Sequence, residues 1–455
     1  MSRAQSSKRR SLALATDLYE LTMAAAYFAN RIDATATFEL FVRELPPQRA
    51  YLVAGGLDQA LAYLENLHFN DADIAYLRAL PTFGSVPPAF FEHLQRLRFT
   101  GEVWAMPEGT PAFANEPLLR VTAPILEAQL VETALLALIN FQTMIVSKAA
   151  RVVDAAAGRS VIEFGSRRAH GTEAAMYAAR AAYLAGCAGT SNVEAGQRFG
   201  IPVVGTIAHS WVMTFDDEIE SFKLYMKYFP DSTTLLIDTY DTVAAAQQIV
   251  AAGLRPQAVR LDSGDLAVLS RAVRRVLDDG GLRDTRIFAS GDLDEWRIAD
   301  LLAAGAPIDA FGVGTRLATS FDQPALGGVY KLVELAVGSR VRGTIKTSPG
   351  KATLPGRKQV WRRADAQGEY LGDVIALHDE PGPADSAPLL VCVMRDGKRT
   401  SGSLSLAAAR DRFRLLQRRL PAGLRGVDGR PTYPVSVSER LLAEQRKLVA
   451  RQQGR

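Results

Sequence analysis

The stretch Ala258–Gly281, "AVRLDSGDLAVLSRAVRRVLDDGG", decides the fold. A short β-branched run, "AVRLD", ends in polar residues and a glycine. An amphipathic helical pattern follows and closes on glycine, completing one βα unit. The same rhythm runs from about Ser160 to about Glu334. Its strand-like runs are "SVIEF", "GCAGT", "PVVGT", "TTLLID", "AVRLD", "RIFAS" and "DAFGV", separated by helical segments such as "TEAAMYAARAAYLAG", "TVAAAQQIVAAGL" and "EWRIADLLAAGA". Strand exits at His209, Asp238, Asp262, Asp292 and Gly314 recur at about one βα unit each, which calls for parallel strands with helical crossovers. So many units in succession, with no "GxGxxG" opening, favour an irregular, TIM-like α/β barrel over a doubly wound sheet.

A chain of 455 residues exceeds a single-domain core, so a second unit is expected. Residues 12 to 140 read as a separate α+β unit, with the helical "TDLYELTMAAAYF" and the strand-like "ATFELFVRELP" and "GEVWAMPEGTPAFA". Residues 141 to 340 hold the barrel. Residues 341 to 455, with the basic "TSPGKATLPGRKQVWRR", strand-like "PLLVCVM" and helical "LAAARDRFRLLQRRL", are expected to pack back on the amino-terminal unit. Residues 1 to 11 read as a disordered basic tail.

Apolar residues make up 48% and charged residues 22%, ordinary values for a folded soluble protein. A net charge of +4, part of it in the tail, leaves no nucleic-acid footprint. "SLALA" is too short for a signal core or a membrane span, so a cytoplasmic location and no membrane partner are expected. Cys187 and Cys392 form no CxxC or zinc spacing and read as core residues.

In parallel α/β folds ligands sit at the carboxyl ends of strands. Those ends here carry Glu163, Arg167 and Arg168, then Thr190, Ser191 and Asn192, then His209 and Ser210. Asp238, Arg260, Asp262, Ser290, Asp292, Gly314 and Thr315 follow. Helix capping is the plainer reading of any single Asp, Ser or Thr after a strand, and it accounts for Asp241 and Asp294. It does not account for Arg260 two residues before Asp262, which strand alternation aims towards one pocket, with Asp238 on the preceding strand. The glycines of "SGDLD" and "FGVGT" let backbone N–H groups approach an anion. No Walker, HExxH or EF-hand motif is present, and carboxylates at Asp262 and Asp292 beside phosphate-type loops point to Mg²⁺ or a sugar diol. His209 reads either as a hydrogen-bonded structural residue or as an imidazole oriented by Asp238 for nucleophilic or proton-accepting work.

The ordered motifs "TDLYELTM", "EFGSRRAHG", "GTSN", "GTIAHSW", "IDTYD", "VRLDSGD", "SGDLD", "FGVGTRLATS" and "GGVYKLVEL" resemble those of nicotinate phosphoribosyltransferases, from about residue 12 to about 335. The resemblance implies an irregular α/β barrel of the type II phosphoribosyltransferase kind, with a second α+β domain built from both chain ends. It implies ATP-assisted, Mg²⁺-dependent transfer of phosphoribosyl from phosphoribosyl pyrophosphate to nicotinate, in a homodimer with shared active sites. By the same resemblance, ATP phosphorylates His209 and Asp238 holds its imidazole. Phe164 stacks on the pyridine ring, Tyr19 of the partner subunit covers it, and Arg167 meets the carboxylate. Arg260 and Asp262 flank the reacting centre, and Asp292 holds the ribose hydroxyls. Gly291, Gly312, Gly314, Thr315 and Lys331 hold phosphate, and no residue is assigned directly to a metal.

Related nicotinamide enzymes carry an acidic residue about where Ser191 stands, which would repel a carboxylate, so Ser191 favours nicotinate. A nicotinamide or quinolinate enzyme, or an inactive scaffold of the same fold, are the alternatives. The basic segment Lys346 to Arg363 either closes over phosphates or is a solvated loop.

Overall fold

The structure, a computed structural model, describes residues 12–348, 352–400, 405–427 and 432–454; the basic tail at residues 1 to 11 lies outside them. Its centre is a six-stranded parallel sheet in the order Gly189–Thr190, Ser160–Glu163, Ala310–Val313, Arg286–Ala289, Ala258–Leu261, Thr234–Leu236. The strand read from "PVVGT" shrinks to one bridge, Thr190 to Val203, which extends this row at its near end. The chain then jumps from Val203 to the far end of the row at Thr234. Side chains join the two ends: Arg260 NH1 donates to Thr206 Oγ1 at 2.8 Å, and His209 Nδ1 lies 3.2 Å from Thr239 Oγ1. The result is an α/β barrel whose closure is made at the mouth by side chains and not by a continuous ladder.

Both faces of this sheet are covered, and the strands are accordingly continuous apolar runs, with Val161, Leu235, Val259, Leu261, Ile287, Phe311 and Val313 buried. The helices take the expected positions, at Thr172–Leu184, Thr242–Ala251, Leu266–Asp279 and Glu295–Ala303. Three of them start on Asp caps at Asp241, Asp265 and Asp294, whose carboxylates accept backbone N–H groups of the first turn.

The second domain is a seven-stranded antiparallel sheet in the order Arg340–Gly343, Gly328–Val337, Thr35–Val42, Pro117–Pro124, Glu102–Ala105, Val391–Arg395, Lys398–Arg399. Both chain ends contribute to it. A four-stranded sheet of Ser386–Pro388, Lys358–Ala364, Tyr370–Leu377 and Val435–Val437 packs beside it. The strand Gly328–Val337, placed with the barrel from sequence, belongs instead to the antiparallel sheet, where it pairs with Thr35–Val42 along its whole length.

Two further features differ from the sequence reading. The helix Glu132–Ala155 runs through the boundary drawn at residue 140. It is the one described helix long and apolar enough to cross a bilayer, but 67% of its apolar window is buried inside the protein, as befits a core helix. The basic segment read as a solvated or closing loop contains the strand Lys358–Ala364, in which Lys358 is buried, its ammonium 2.8 Å from Glu39 Oε2. Residues 349 to 351 of that segment lie outside the described residues.

Arg180, on the first barrel helix, ties the two domains. Its NH1 and NH2 donate to the two Glu108 oxygens at 2.9 and 2.6 Å, and Glu108 Oε1 also accepts Gly56 N–H at 2.7 Å. Both charged side chains are buried, so removing one strands the other. Arg180→Ala is expected to cost about 3–5 kcal/mol in urea unfolding. Adding Glu108→Ala to that variant should cost less than Glu108→Ala alone; strictly additive effects in this double-mutant cycle would show that the pair is not coupled.

Candidate active site

The carboxyl ends of the parallel strands open on a cavity of about 490 Å³. Arg260 and Asp262 leave the Ala258–Leu261 strand on the same side, and Arg260 NH2 donates to Asp262 Oδ1 at 2.6 Å. Ser290, at the next exit, donates to the same oxygen at 2.5 Å and accepts Arg260 Nε at 2.8 Å. Two exits are thus cross-linked through one guanidinium and one carboxylate, and the Arg260 contact with Thr206 adds a third. Arg167 and Arg168, in the short turn Ser166–Arg168, line the same cavity with Phe164 and Ser191.

Phe164 is held from behind. Its ring lies 5.6 Å from Phe288 and 5.7 Å from the Arg260 guanidinium. A Cβ at Gly312 would press on the rings of both Phe164 and Phe288, so Gly312 is small in order to seat that aromatic pair. The expectation that Gly312 also helps to hold phosphate is left open by this packing role. Glu163, fully buried beneath the turn, accepts Gly165 N–H and, at 2.6 Å, the Thr190 hydroxyl. Burial pushes its carboxyl upward against the pull of those two donors.

On the other side, Gly291 has φ +98° and a Cβ there would collide with the Asp262 carbonyl. Asp292 follows at φ +46°, in the left-handed region that non-glycine residues rarely occupy, and lines the cavity with Gly314 and Thr315. Such a kink turns the backbone sharply at the strand exit. Among the described residues no group of three or more His, Cys, Asp or Glu side chains could hold a metal ion by itself.

His209 and Asp238 stand beside the cavity. His209 is half-exposed, and its Nε2 lies 4.0 Å from both Asp238 Oδ1 and Asp262 Oδ2. That spacing allows electrostatic orientation but not the direct hydrogen bond expected between His209 and Asp238. The reason is that Asp238 Oδ2 is anchored elsewhere, accepting Asp262 N–H at 3.0 Å and the Ser263 hydroxyl at 2.6 Å. Its other oxygen, Oδ1, is buried without a hydrogen-bond partner. Thr239 takes up the second ring nitrogen. Thr206 and Thr239 stand in "GTIAHSW" and "IDTYD" beside charged residues, and only their contacts with Arg260 and His209 mark them as part of the site.

Glu218 had no sequence signal, lying within the acidic run "DDEIE". In the structure it opens the Glu218–Tyr228 helix, with Oε1 buried and unpartnered. Burial first, and then the carboxylates of Asp217, Asp238 and Asp241, push its carboxyl up to about 7.

Tyr19, expected to act from a partner subunit, and Lys331, a phosphate candidate, do not line this cavity. Tyr19, on the Leu18–Ala29 helix, is pushed above the usual phenol range by burial and then by Glu132, to which its hydroxyl is hydrogen-bonded. Lys331, on the Gly328–Val337 strand, is lowered by burial, with Arg43 and Lys346 adding to the effect and Glu132 opposing it. The two therefore flank one carboxylate on the second domain.

Residues 14–140 match the family model described as the nicotinate phosphoribosyltransferase (NAPRTase) N-terminal domain, and residues 160–367 match that of the NAPRTase family. The chain is 49% identical over 444 residues to nicotinate phosphoribosyltransferase pncB2 of Mycobacterium tuberculosis, covering 96% of this chain and 94% of that protein. It is 33% identical over 525 residues to the Homo sapiens nicotinate phosphoribosyltransferase, with 96% and 97% covered. The crystal structure of human nicotinic acid phosphoribosyltransferase superposes with a TM-score of 0.83 at 31% identity, covering 95% of this chain and 99% of that one. A nicotinate-nucleotide pyrophosphorylase from Pyrococcus furiosus, at 24% identity and a TM-score of 0.72 over 92% of this chain and 99% of that one, shares the fold.

Because the folded-state pKa of Glu218 lies above its ordinary 4.5, the folded protein holds that proton more tightly than the unfolded chain. The associated stability is present below pH 4.5 and is lost as pH rises through about 7. Glu218→Gln should therefore melt at a higher temperature than wild type at pH 8, with the difference closing by pH 4.5. Parallel melting curves across that range would refute the shift.

Proposed function

The chain belongs to the nicotinate phosphoribosyltransferase family, an enzyme family, and from that premise we propose that it joins nicotinate to phosphoribosyl pyrophosphate. The products are nicotinate mononucleotide and pyrophosphate, and ATP hydrolysis is coupled to the transfer through His209. The observation that carries this reading is the cross-linked set Arg260, Asp262 and Ser290 lining one cavity with Phe164, which lies against Arg260, and Arg167. An aromatic platform and a cation beside a fixed carboxylate suit an anionic ring.

In this reading Phe164 stacks on the pyridine and Arg167 pairs with its carboxylate. The ribosyl carbon becomes positive as pyrophosphate departs, and Asp262 stabilises that charge from a position held by Arg260 and Ser290. Asp292 receives the ribose hydroxyls, and backbone N–H groups at Gly291, Gly314 and Thr315 receive the 5′-phosphate. Mg²⁺, bound with the substrate, supplies neutralisation of the leaving pyrophosphate. Asp262 and Asp292 border the cavity and suit an ion that takes few protein ligands and completes its shell with phosphate and water.

The His209 imidazole, exposed to the mouth and flanked by Asp238 and Asp262, attacks the terminal phosphorus of ATP. A nitrogen–phosphorus bond forms, the bridging phosphorus–oxygen bond breaks, and ADP leaves. The phosphorylated ring then adds charge at the mouth, which couples hydrolysis to substrate binding.

Tyr19 and Lys331 fit this chemistry if a second copy lays its own antiparallel domain over the mouth, so we read the protein as a cytoplasmic homodimer with shared sites. Its partners are small molecules, with no role for nucleic acid or membrane.

Incubation with γ-labelled ATP and Mg²⁺ is expected to leave acid-labile, base-stable phosphate on wild type and none on His209→Ala. Nicotinate mononucleotide formation without any label would remove His209 from the mechanism. Ser191 borders the cavity, so Ser191→Asp should lower kcat/KM for nicotinate by about 100-fold, because juxtaposed like charges cost several kcal/mol. An unchanged kcat/KM would place the nicotinate carboxylate elsewhere.

A further inference from the structure

A second cavity, of about 520 Å³, lies outside the barrel, where the four-stranded sheet meets the Leu406–Arg418 helix and the loop at 107–110. Three guanidinium groups border it: Arg362 from the Lys358–Ala364 strand, Arg412 from the helix and Arg419 from its carboxyl cap. Arg412 and Arg419 are about two helical turns apart and so stand on one face.

Their pairing is incomplete. Arg362 spends Nε and NH2 on Asp373, at 3.0 and 2.6 Å, yet NH1 is buried without a partner although the side chain is only 2% exposed. Arg412 Nε is likewise buried and unpartnered. Arg419 donates to the Gly368 carbonyl and stacks on Tyr370 at 4.6 Å. Neither Arg412 nor Arg419 forms an ion pair with a described residue. Of the two carboxylates at the cavity, Asp365 is committed to the backbone N–H groups of Gln367 and Glu369, which leaves Asp385. Arg412 and Arg419 thus line a hollow of ligand size without a carboxylate partner among the described residues, and two such cations on one face ask for an anion.

We propose that this cavity is a second binding site, for a small phosphate monoester of sugar-phosphate size. Guanidinium groups match phosphate oxygens in geometry and charge, and Asp385 is placed to accept a hydroxyl of the ester's body. The site is preformed. The Arg362 guanidinium is wedged among the rings of Phe113, Tyr370 and Tyr433 at 5.0 to 5.9 Å, and the 107–110 loop is pinned by the Glu108–Arg180 pair.

The test is equilibrium dialysis with labelled ribose 5-phosphate on the full chain. Wild type is expected to bind one more equivalent than Arg412→Gln, or to bind it at least about tenfold more tightly, the worth of a charge-assisted hydrogen bond. Arg412→Lys should restore part of it, and nicotinate mononucleotide formation should be unchanged. Ala387→Phe, which fills the cavity from the opposite wall, should lose the same equivalent, so that misfolding of one variant does not decide the matter. Equal binding by wild type, Arg412→Gln and Ala387→Phe would overturn the site. Inorganic phosphate competing as well as the ester would overturn the assignment to an ester.

Discussion

Glu295 has no solvent exposure, and the way its charge is satisfied holds the two domains in one piece. Lys148 Nζ meets it at 2.5 Å and Arg151 Nε at 2.9 Å, both from the central helix Glu132–Ala155; Arg49 NH1, from the amino-terminal domain, stands at 3.9 Å. Asp322, a few residues past Thr315, accepts Arg49 at 2.7 Å and Lys148 at 2.8 Å. Burial pushes the Asp322 carboxyl up, but the hydrogen bonds and charges of Arg49 and Lys148 win and hold it at about 2. No member of such a cluster can move away without leaving a charge bare in a dry interior, a loss of several kcal/mol. Central helix, amino-terminal loop, barrel helix and the segment after Thr315 are therefore located together.

With the frame fixed, the mouth follows from strand geometry. Parallel strands deliver their last side chains to one edge, and pairing at Leu236 to Arg260 to Phe288 puts successive exits side by side. Arg260 then bridges Asp262, Ser290 and Thr206. The last of these contacts also stands in for the missing ladder between the ends of the curled sheet, so the group that organises the site also closes the barrel there.

Much of this was legible because it is local. Asp241 and Asp294 announce helix starts by chemistry alone, and Arg260 with Asp262 announces a shared pocket by alternation. What escaped depends on contacts far apart in the chain. The helix Glu132–Ala155 has no capping side chain and is apolar on several faces, so nothing marks where it begins, and its Lys148 and Arg151 look solvated until Glu295 is placed beside them. Lys358 sits in a basic stretch, and only the packing of the four-stranded sheet beside the seven-stranded one brings it to Glu39. Gly312 read as a phosphate glycine, since the sequence carries no sign that the Phe164 and Phe288 rings close over it.

Asp238 shows how a site stays reactive inside such a frame. One carboxylate oxygen is fixed by a backbone N–H and a hydroxyl, which locks the side chain's orientation. The other is buried, has no hydrogen-bond partner and faces His209 Nε2 at 4.0 Å. An unmet buried acceptor costs about 1–3 kcal/mol, and that cost falls if the ring moves closer. Because the imidazole is half-exposed and held on its other side by Thr239, it has room to do so. A tighter His209–Asp238 contact would remove the strain, and with it the freedom of the ring that the open geometry preserves.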